Sequence, residues 1–249
     1  NGVGWAIFNN VEKRNAVSLA MAKRFSEVII EFENDDKIRV IIIKGEGGKS
    51  FVSGADISEF EELRSTPEGI KEYEATSNKM YQGIRNCSKA TIAMIQGYCM
   101  GGGVALACGC DFRISTNTAV FCVPAARLGI TYRPNFVRWV VETVGPSTAK
   151  EILMTGCRYS AEEALNLGLV NRLTSEGDIE EFTYEYAKVI ANNAPLSVSA
   201  TKAIVNEVSK VPDNWDEQHC IELMNRCSSS DDYKEGRRAF MEKRQPIFR

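Results

Sequence analysis

The chain is poor in several residues that catalytic and metal sites often rely on. Its 249 residues include a single histidine, His219. A multi-histidine zinc site is therefore excluded, and a Ser-His-Asp triad would have to be built around His219, near the C-terminal end. None of the eight cysteines (Cys87, Cys99, Cys108, Cys110, Cys122, Cys157, Cys220 and Cys227) forms a CxxC pair. Most lie in apolar segments of a chain too long to need a disulfide framework, so they read as reduced core residues of a cytoplasmic protein. No apolar run approaches the ~20 residues that span a bilayer. A net charge of −3 is too small to point to nucleic acid or a membrane surface. No low-complexity linker, fixed-period repeat or leader segment stands out. The chain starts without Met inside a strand-like run, so a few residues are expected to be missing ahead of Asn1.

What is present is enough apolar residue, 44%, to bury a sizeable core in one large domain or in one domain with a smaller partner. "GVGWAIFN" and the run from Ile38 to Gly45 read as strands, the second apolar on both faces as in a covered sheet. Between them Ser18 caps a helix reaching about Phe32, with Leu19, Phe25, Val28, Ile29 and Phe32 on one face. A polar helical stretch runs from Pro67 to about Arg85. "TIAMIQG", "FRIS" and "AVFCV" read as short strands. From Pro134 onward the pattern is helical, interrupted only by "LVNRL" at 169–173. Strands alternating with helices predict an α/β fold, and the helical tail predicts a second layer or subdomain.

"GYCMGGGVALACGCD", Gly97 to Asp111, places three glycines between a strand and a buried-looking helix. A helix N-terminus carries unsatisfied N–H groups at the positive end of its dipole, and glycine lets a ligand approach them. From the residues alone the triplet serves either a tight, closely packed turn or an anion held on backbone donors. Nucleotide patterns do not fit. GxGxxG would need glycine where Leu106 stands, and a P-loop ending in "GEGGKS" would need glycine where Ile43 stands.

"KSFVSGADISEF", Lys49 to Phe60, follows another strand and opens a second helix-like run. These two stretches, with "FCVPAARLGI", "AKEILMTGCRYSAEEALNLGLVNRL" and "DDYKEGRRAFMEKRQPIF", together resemble the crotonase, or enoyl-CoA hydratase/isomerase, superfamily in order along the whole chain. The resemblance implies a crotonase-like spiral of ββα units over 1–192 and a C-terminal helical oligomerisation region over 193–249. It implies an acyl-CoA thioester as partner, with coenzyme A entering as part of the substrate, no separate cofactor and no metal. It also implies a homotrimer or a dimer of trimers.

Carried over by resemblance, the backbone N–H groups of Ala55 and Gly102 form an oxyanion hole for a thioester enolate. The two glutamates of the family's hydratases fall on Ala105 and Ala125, so both carboxylates are absent here. "RLGITY" (Arg127 to Tyr132) and the C-terminal segment resemble the methylmalonyl-CoA decarboxylase branch, and Tyr132 matches its active-site tyrosine. Ala55 stands where that branch has histidine. Decarboxylation forms an enolate without a general base, which suits a site lacking both acids. The alternatives are a hydratase or isomerase with relocated acid and base, or a non-catalytic acyl-CoA binder. "EKRNAVS" matches the loop that lies against the CoA adenine. The substrate-binding set is then Lys13, Arg14, Ala16, Asp56, Ile57, Gly101, Arg133, Phe240 and Lys243. Asp56 also reads as a helix cap, Asp111 as a structural carboxylate, Arg127 and Arg133 as solvated arginines, and Cys99 and Cys108 as small core residues.

Overall fold

The computed structural model of the chain describes residues 2–59, 63, 65–128, 132–209 and 216–248. Two sheets form its framework. The first has the strand order β1 (Val3–Phe8), β2 (Val40–Gly45), β4 (Ala90–Ile95), β6 (Phe112–Thr116) and β9 (Arg172–Thr174), with every pairing parallel. The second runs β3 (Ser50–Val52), β5 (Tyr98–Met100), β7 (Val120–Cys122) and β8 (Arg158–Ser160), and only β8 is antiparallel. Three successive passes of the chain, β2–β3, β4–β5 and β6–β7, each lay a longer strand in the first sheet and a shorter one in the second. The path is therefore a spiral. Strand β2 is an interior strand, and Val40, Ile41, Ile42 and Ile43 are fully buried, as a strand covered on both faces requires.

Helix α1 (Leu19–Asn34) begins where Ser18 accepts a hydrogen bond from Met21 N–H, and it buries Phe25 and Ile29. It packs against α2 (Pro67–Asn86). Helix α3 (Gly102–Gly109) follows β5 and is buried from Gly103 to Gly109. Helix α4 (Pro134–Thr155) is broken at Gly145, whose φ is 78°. Then come α5 (Ala161–Asn166), α6 (Ile179–Ala191), α7 (Pro195–Val208), α8 (Glu217–Ser228) and α9 (Asp231–Glu242). Among the described residues no helix is long and apolar enough to cross a membrane.

The helical tail is held to the sheets by polar contacts. Lys202 Nζ lies 2.9 Å from the Asp111 carboxylate and donates to Lys89 C=O at 2.9 Å. Asp111 also accepts from Thr91 N–H and Oγ, which confirms it as a structural carboxylate. Arg39 donates to the carbonyls of Ala191 and Phe248.

Three strands depart from the sequence-based expectation. β3 lies in a stretch read only as following a strand, β8 lies in the segment expected to be helical apart from 169–173, and β5 stands between the expected strand and the glycine triplet. Each has three residues, too few to display an alternating pattern.

Candidate active site

The glycine triplet lies where the two sheets and two helices converge. Gly101 has φ 52° and ψ −113°, a conformation costly for any residue with a Cβ, and its N–H donates to Cys122 C=O at 2.8 Å. Gly103 meets a second demand. A Cβ there would stand 2.2 Å from Val52 C=O, so the residue is small because α3 starts hard against β3. Gly102, between them, is the first residue of α3, and its N–H has no acceptor among the described residues.

Ala55 approaches from the other strand pair. Val17 N–H donates to Gly54 C=O at 2.8 Å and Asp56 N–H to Val17 C=O at 2.9 Å, a bridge that leaves Ala55 N–H without an acceptor among the described residues. The residue before it touches the triplet: a Cβ on Gly102 would lie 3.8 Å from Gly54 Cα. Two unsatisfied backbone donors, one at the positive end of a helix, are thereby brought to one place. Such a pair can hold a carbonyl oxygen and stabilise the charge it gains as an enolate.

Two phenols flank the donors. Tyr132 Oη stands 2.9 Å from where a Cβ on Gly101 would be, and its ring stacks on Phe136 with centroids 4.0 Å apart. Burial, with the Cys122 thiol beside it, pushes the Tyr132 phenol up to about 12. Tyr81 donates to Gly102 C=O at 3.3 Å, and a Cβ on Gly102 would stand 2.5 Å from its hydroxyl. Burial holds the Tyr81 phenol well above its ordinary range, and the neighbouring Tyr132 and Tyr73 add to the effect. Both side chains are thus neutral hydrogen-bond donors at physiological pH.

Ala105, in α3, and Ala125, directly after Pro124, are buried and offer no carboxylate. Cys99 and Cys108 are buried, and burial raises both thiols, so neither is a ready nucleophile.

The residues expected to meet the rest of the substrate are placed unevenly. Lys13 and Asp56 face each other: Lys13 Nζ lies 2.8 Å from the Asp56 carboxylate and 2.9 Å from Ser58 Oγ. These hydrogen bonds, Lys13 first and Ser58 next, lower the pKa of the buried Asp56, which makes it a loop anchor and leaves a ligand little of its charge. Arg14, at φ 53°, lies with its guanidinium 5.5 Å from the centre of the Tyr98 ring. Ala16 is buried and its carbonyl accepts from the Asn10 amide, whereas Ile57 is 75% exposed beside Ala55. Arg133 is paired with Glu74 at the edge of the site, and Arg127 packs against Gly156. Lys243 is exposed at φ 54°, while the side chain of Phe240 and residues 129–131 of "RLGITY" lie outside the described residues. His219 is exposed, its N–H bonded to Asp216 near the start of α8.

The sequence reading missed the α2 contribution. Tyr73, Ser77, Met80 and Tyr81 line a small cavity that reaches Ala55. Their spacing of four, three and one residues along a helix was the available signal, obscured by the polar residues between them. A larger cleft lies elsewhere, between α7 and the residues around Asp111. Among the described residues no cluster of His, Cys, Asp or Glu side chains could hold a metal ion.

A family model described as "Enoyl-CoA hydratase/isomerase" matches residues 1–249. A short-chain-enoyl-CoA hydratase of Clostridium acetobutylicum is 34% identical over 237 residues, which cover 95% of this chain and 90% of that protein. A carnitinyl-CoA dehydratase of Escherichia coli K12 is 32% identical over 244 residues, 95% of this chain and 91% of that protein. The crystal structure of an enoyl-CoA hydratase/carnithine racemase from Magnetospirillum magneticum superposes with a TM-score of 0.94 at 33% identity, covering 100% of this chain and 92% of that one. An enoyl-CoA hydratase from Bacillus anthracis gives 0.89 at 28% identity, covering 99% and 95%. With the family model spanning every residue and the spiral of paired strands reproduced in solved relatives, the chain belongs to the enoyl-CoA hydratase/isomerase family.

Proposed function

We propose that the chain acts on an acyl-CoA thioester, holds its enolate on the N–H groups of Ala55 and Gly102, and forms that enolate by decarboxylating a 2-carboxyacyl-CoA. The observation that carries this reading is the content of the site. Two unpartnered donors and two neutral phenols converge where Ala105 and Ala125 leave no acid. In decarboxylation the bond from C2 to the carboxyl carbon breaks. Its electron pair moves into the thioester as the enolate, CO2 leaves, and C2 then takes a proton. No base is required. What the step needs is a stabilised oxyanion and a carboxylate turned out of the enolate plane, so that the breaking bond overlaps the forming π system. Tyr132 is placed to turn it, as an uncharged donor beside Gly101.

The test is CO2 release from malonyl-, methylmalonyl- and ethylmalonyl-CoA, with binding of CoA esters as the control. Tyr132→Phe is expected to keep the fold and CoA-ester affinity and to lose turnover by about 10- to 100-fold, the worth of a hydrogen bond to a charged group. The loss should fall in kcat, since the donor acts mainly in the transition state. With its pKa pushed up to about 12, Tyr132 stays protonated through neutral and mildly alkaline pH. Turnover should therefore show no Tyr132 ionisation step below about pH 10, because a raised phenol pKa keeps the donor form as pH rises. An equal loss in the binding of unreactive CoA esters would show that Tyr132 packs the loop and does nothing more.

A second reading has support of its own. The relatives at 34% and 32% identity are named hydratase and dehydratase, and Glu74 brings a carboxylate to the edge of the site, where it pairs with Arg133. Under that reading Glu74 supplies the acid–base function that Ala105 and Ala125 cannot.

Self-association, as a trimer or a dimer of trimers through the 193–249 segment, belongs to the same proposal. Helix α7 buries only Ala200, and clefts of about 900 and 770 Å3 flank it. Val205, Val208, Met241 and Ile247 stand exposed around it. A second copy would cover such surface. Sedimentation at micromolar concentration should report three or six chains, and a stable monomer would overturn the proposal.

A further inference from the structure

The cavity that reaches Ala55 has a volume of about 30 Å3, close to the share of one water molecule in the liquid. Its walls are Leu19 and Ala22 from α1, Tyr73, Met80 and Tyr81 from α2, and Ala55 itself. An acyl chain whose thioester oxygen sits on Ala55 and Gly102 has this cavity beside its first carbons. How far the chain extends depends on which wall residues can move.

Met80 is unbranched and adapts readily to what it touches. Tyr81 is held at both ends. Its hydroxyl donates to Gly102 C=O at 3.3 Å, and its ring leans on Trp139 with centroids 6.2 Å apart at 53°. Trp139 is itself buried in the core. Swinging Tyr81 aside would break the bond to the residue that carries an oxyanion donor and open a gap against Trp139.

We propose that Tyr81 sets the acyl length the site accepts, closing the chain's path so that only short acyl groups fit unstrained. The inference rests on the acyl-CoA reading above but not on which reaction follows. It assigns a specificity role to a residue that also buttresses Gly102, so one side chain couples acyl size to the integrity of the oxyanion hole. An acyl group long enough to push the ring would loosen the donor it needs.

Saturated acyl-CoA esters test this without turnover. Calorimetric titration of the intact protein with acetyl-, butyryl- and octanoyl-CoA should give octanoyl-CoA about tenfold weaker binding than butyryl-CoA, the scale on which apolar pockets discriminate. Tyr81→Ala should abolish that gap: losing the bond to Gly102 weakens every ester, while the opened path offsets this for octanoyl-CoA alone, so octanoyl-CoA gains about tenfold relative to butyryl-CoA. Tyr81→Phe keeps the ring and should keep the gap. If Tyr81→Ala does not fold, as judged by circular dichroism, Tyr73→Ala opens the same cavity from the neighbouring turn and should narrow the gap in the same direction. Equal affinity for butyryl- and octanoyl-CoA in the unaltered protein, or an undiminished gap in a folded opened variant, overturns the proposal. Failure of every CoA ester to bind the unaltered protein would instead overturn the acyl-CoA reading, and this inference with it.

Discussion

Crotonyl-CoA is expected to be hydrated at least about 10⁴-fold more slowly by this chain than by a family member with a glutamate at both positions, since each acid–base group is worth roughly 10²–10⁴. Hydration needs one group to take a proton from water and another to deliver a proton to the α-carbon. The positions where the resemblance to the family's hydratases calls for those two acids hold Ala105, three residues into α3 from Gly102, and Ala125, directly after Pro124. Both are buried and carry no ionisable group. Tyr132 and Tyr81 cannot substitute as bases, because burial raises both phenols and disfavours their anions. The measurement is loss of the enoyl-thioester absorbance with crotonyl-CoA in excess. Rapid hydration would favour Glu74 as a relocated acid and base and would sink the decarboxylase proposal's central argument. Glu74→Gln would then separate the two cases, since hydration through Glu74 would disappear with it.

How much of this site was legible before the fold was known follows from how local each requirement is. The triplet was legible because part of glycine's reason lies in its own backbone: Gly101 sits at positive φ just before α3 begins, whereas the contact of Gly103 with Val52 in β3 is long-range and was not visible. "SGAD" was legible through resemblance, since nothing in its composition shows that Ala55 N–H would stay unpaired. The pairing of Lys13 with Asp56 was not visible, because the partners are 43 residues apart and meet only through the bridge between Val17 and Ala55. Both had been expected to face the substrate. The α2 wall was missed for a different reason. Its tyrosines lie on a mostly polar helix, where an apolar stripe reads as ordinary packing against a sheet. Only the approach of α2 to Gly102 turns Tyr81 into part of the site. Strands β3, β5 and β8 escaped notice because three residues carry no period. The longer covered strands β2 and β4, six residues each and buried on both faces, were recognisable from their apolar runs alone.

Gly102→Pro is expected to lower kcat/KM on the chain's CoA ester by about 10²–10³, the cost of deleting one oxyanion donor. Proline is tolerated at the first position of a helix, where the N–H has no intrahelical acceptor, so α3 should survive the change. The substitution nevertheless does two things. It removes the N–H, and it adds a Cβ that would stand 2.5 Å from the Tyr81 hydroxyl. The second effect has to be separated from the first. Gly102→Ala adds the same Cβ and keeps the donor, so it carries the steric displacement of Tyr81 alone. The quantity that tests the oxyanion hole is therefore the ratio of the two variants. If Gly102 N–H holds the developing enolate, Gly102→Pro falls about 10²–10³ below Gly102→Ala, mainly in kcat, because the donor acts most strongly on the charge that appears in the transition state. If the two variants lose activity equally, the loss comes from Tyr81 and the donor assignment fails. Gly102→Ala with Tyr81→Phe closes the argument: relieving the clash should restore activity towards that of Tyr81→Phe alone. Restoration by the same relief in the proline background would mean that Gly102 N–H was never needed.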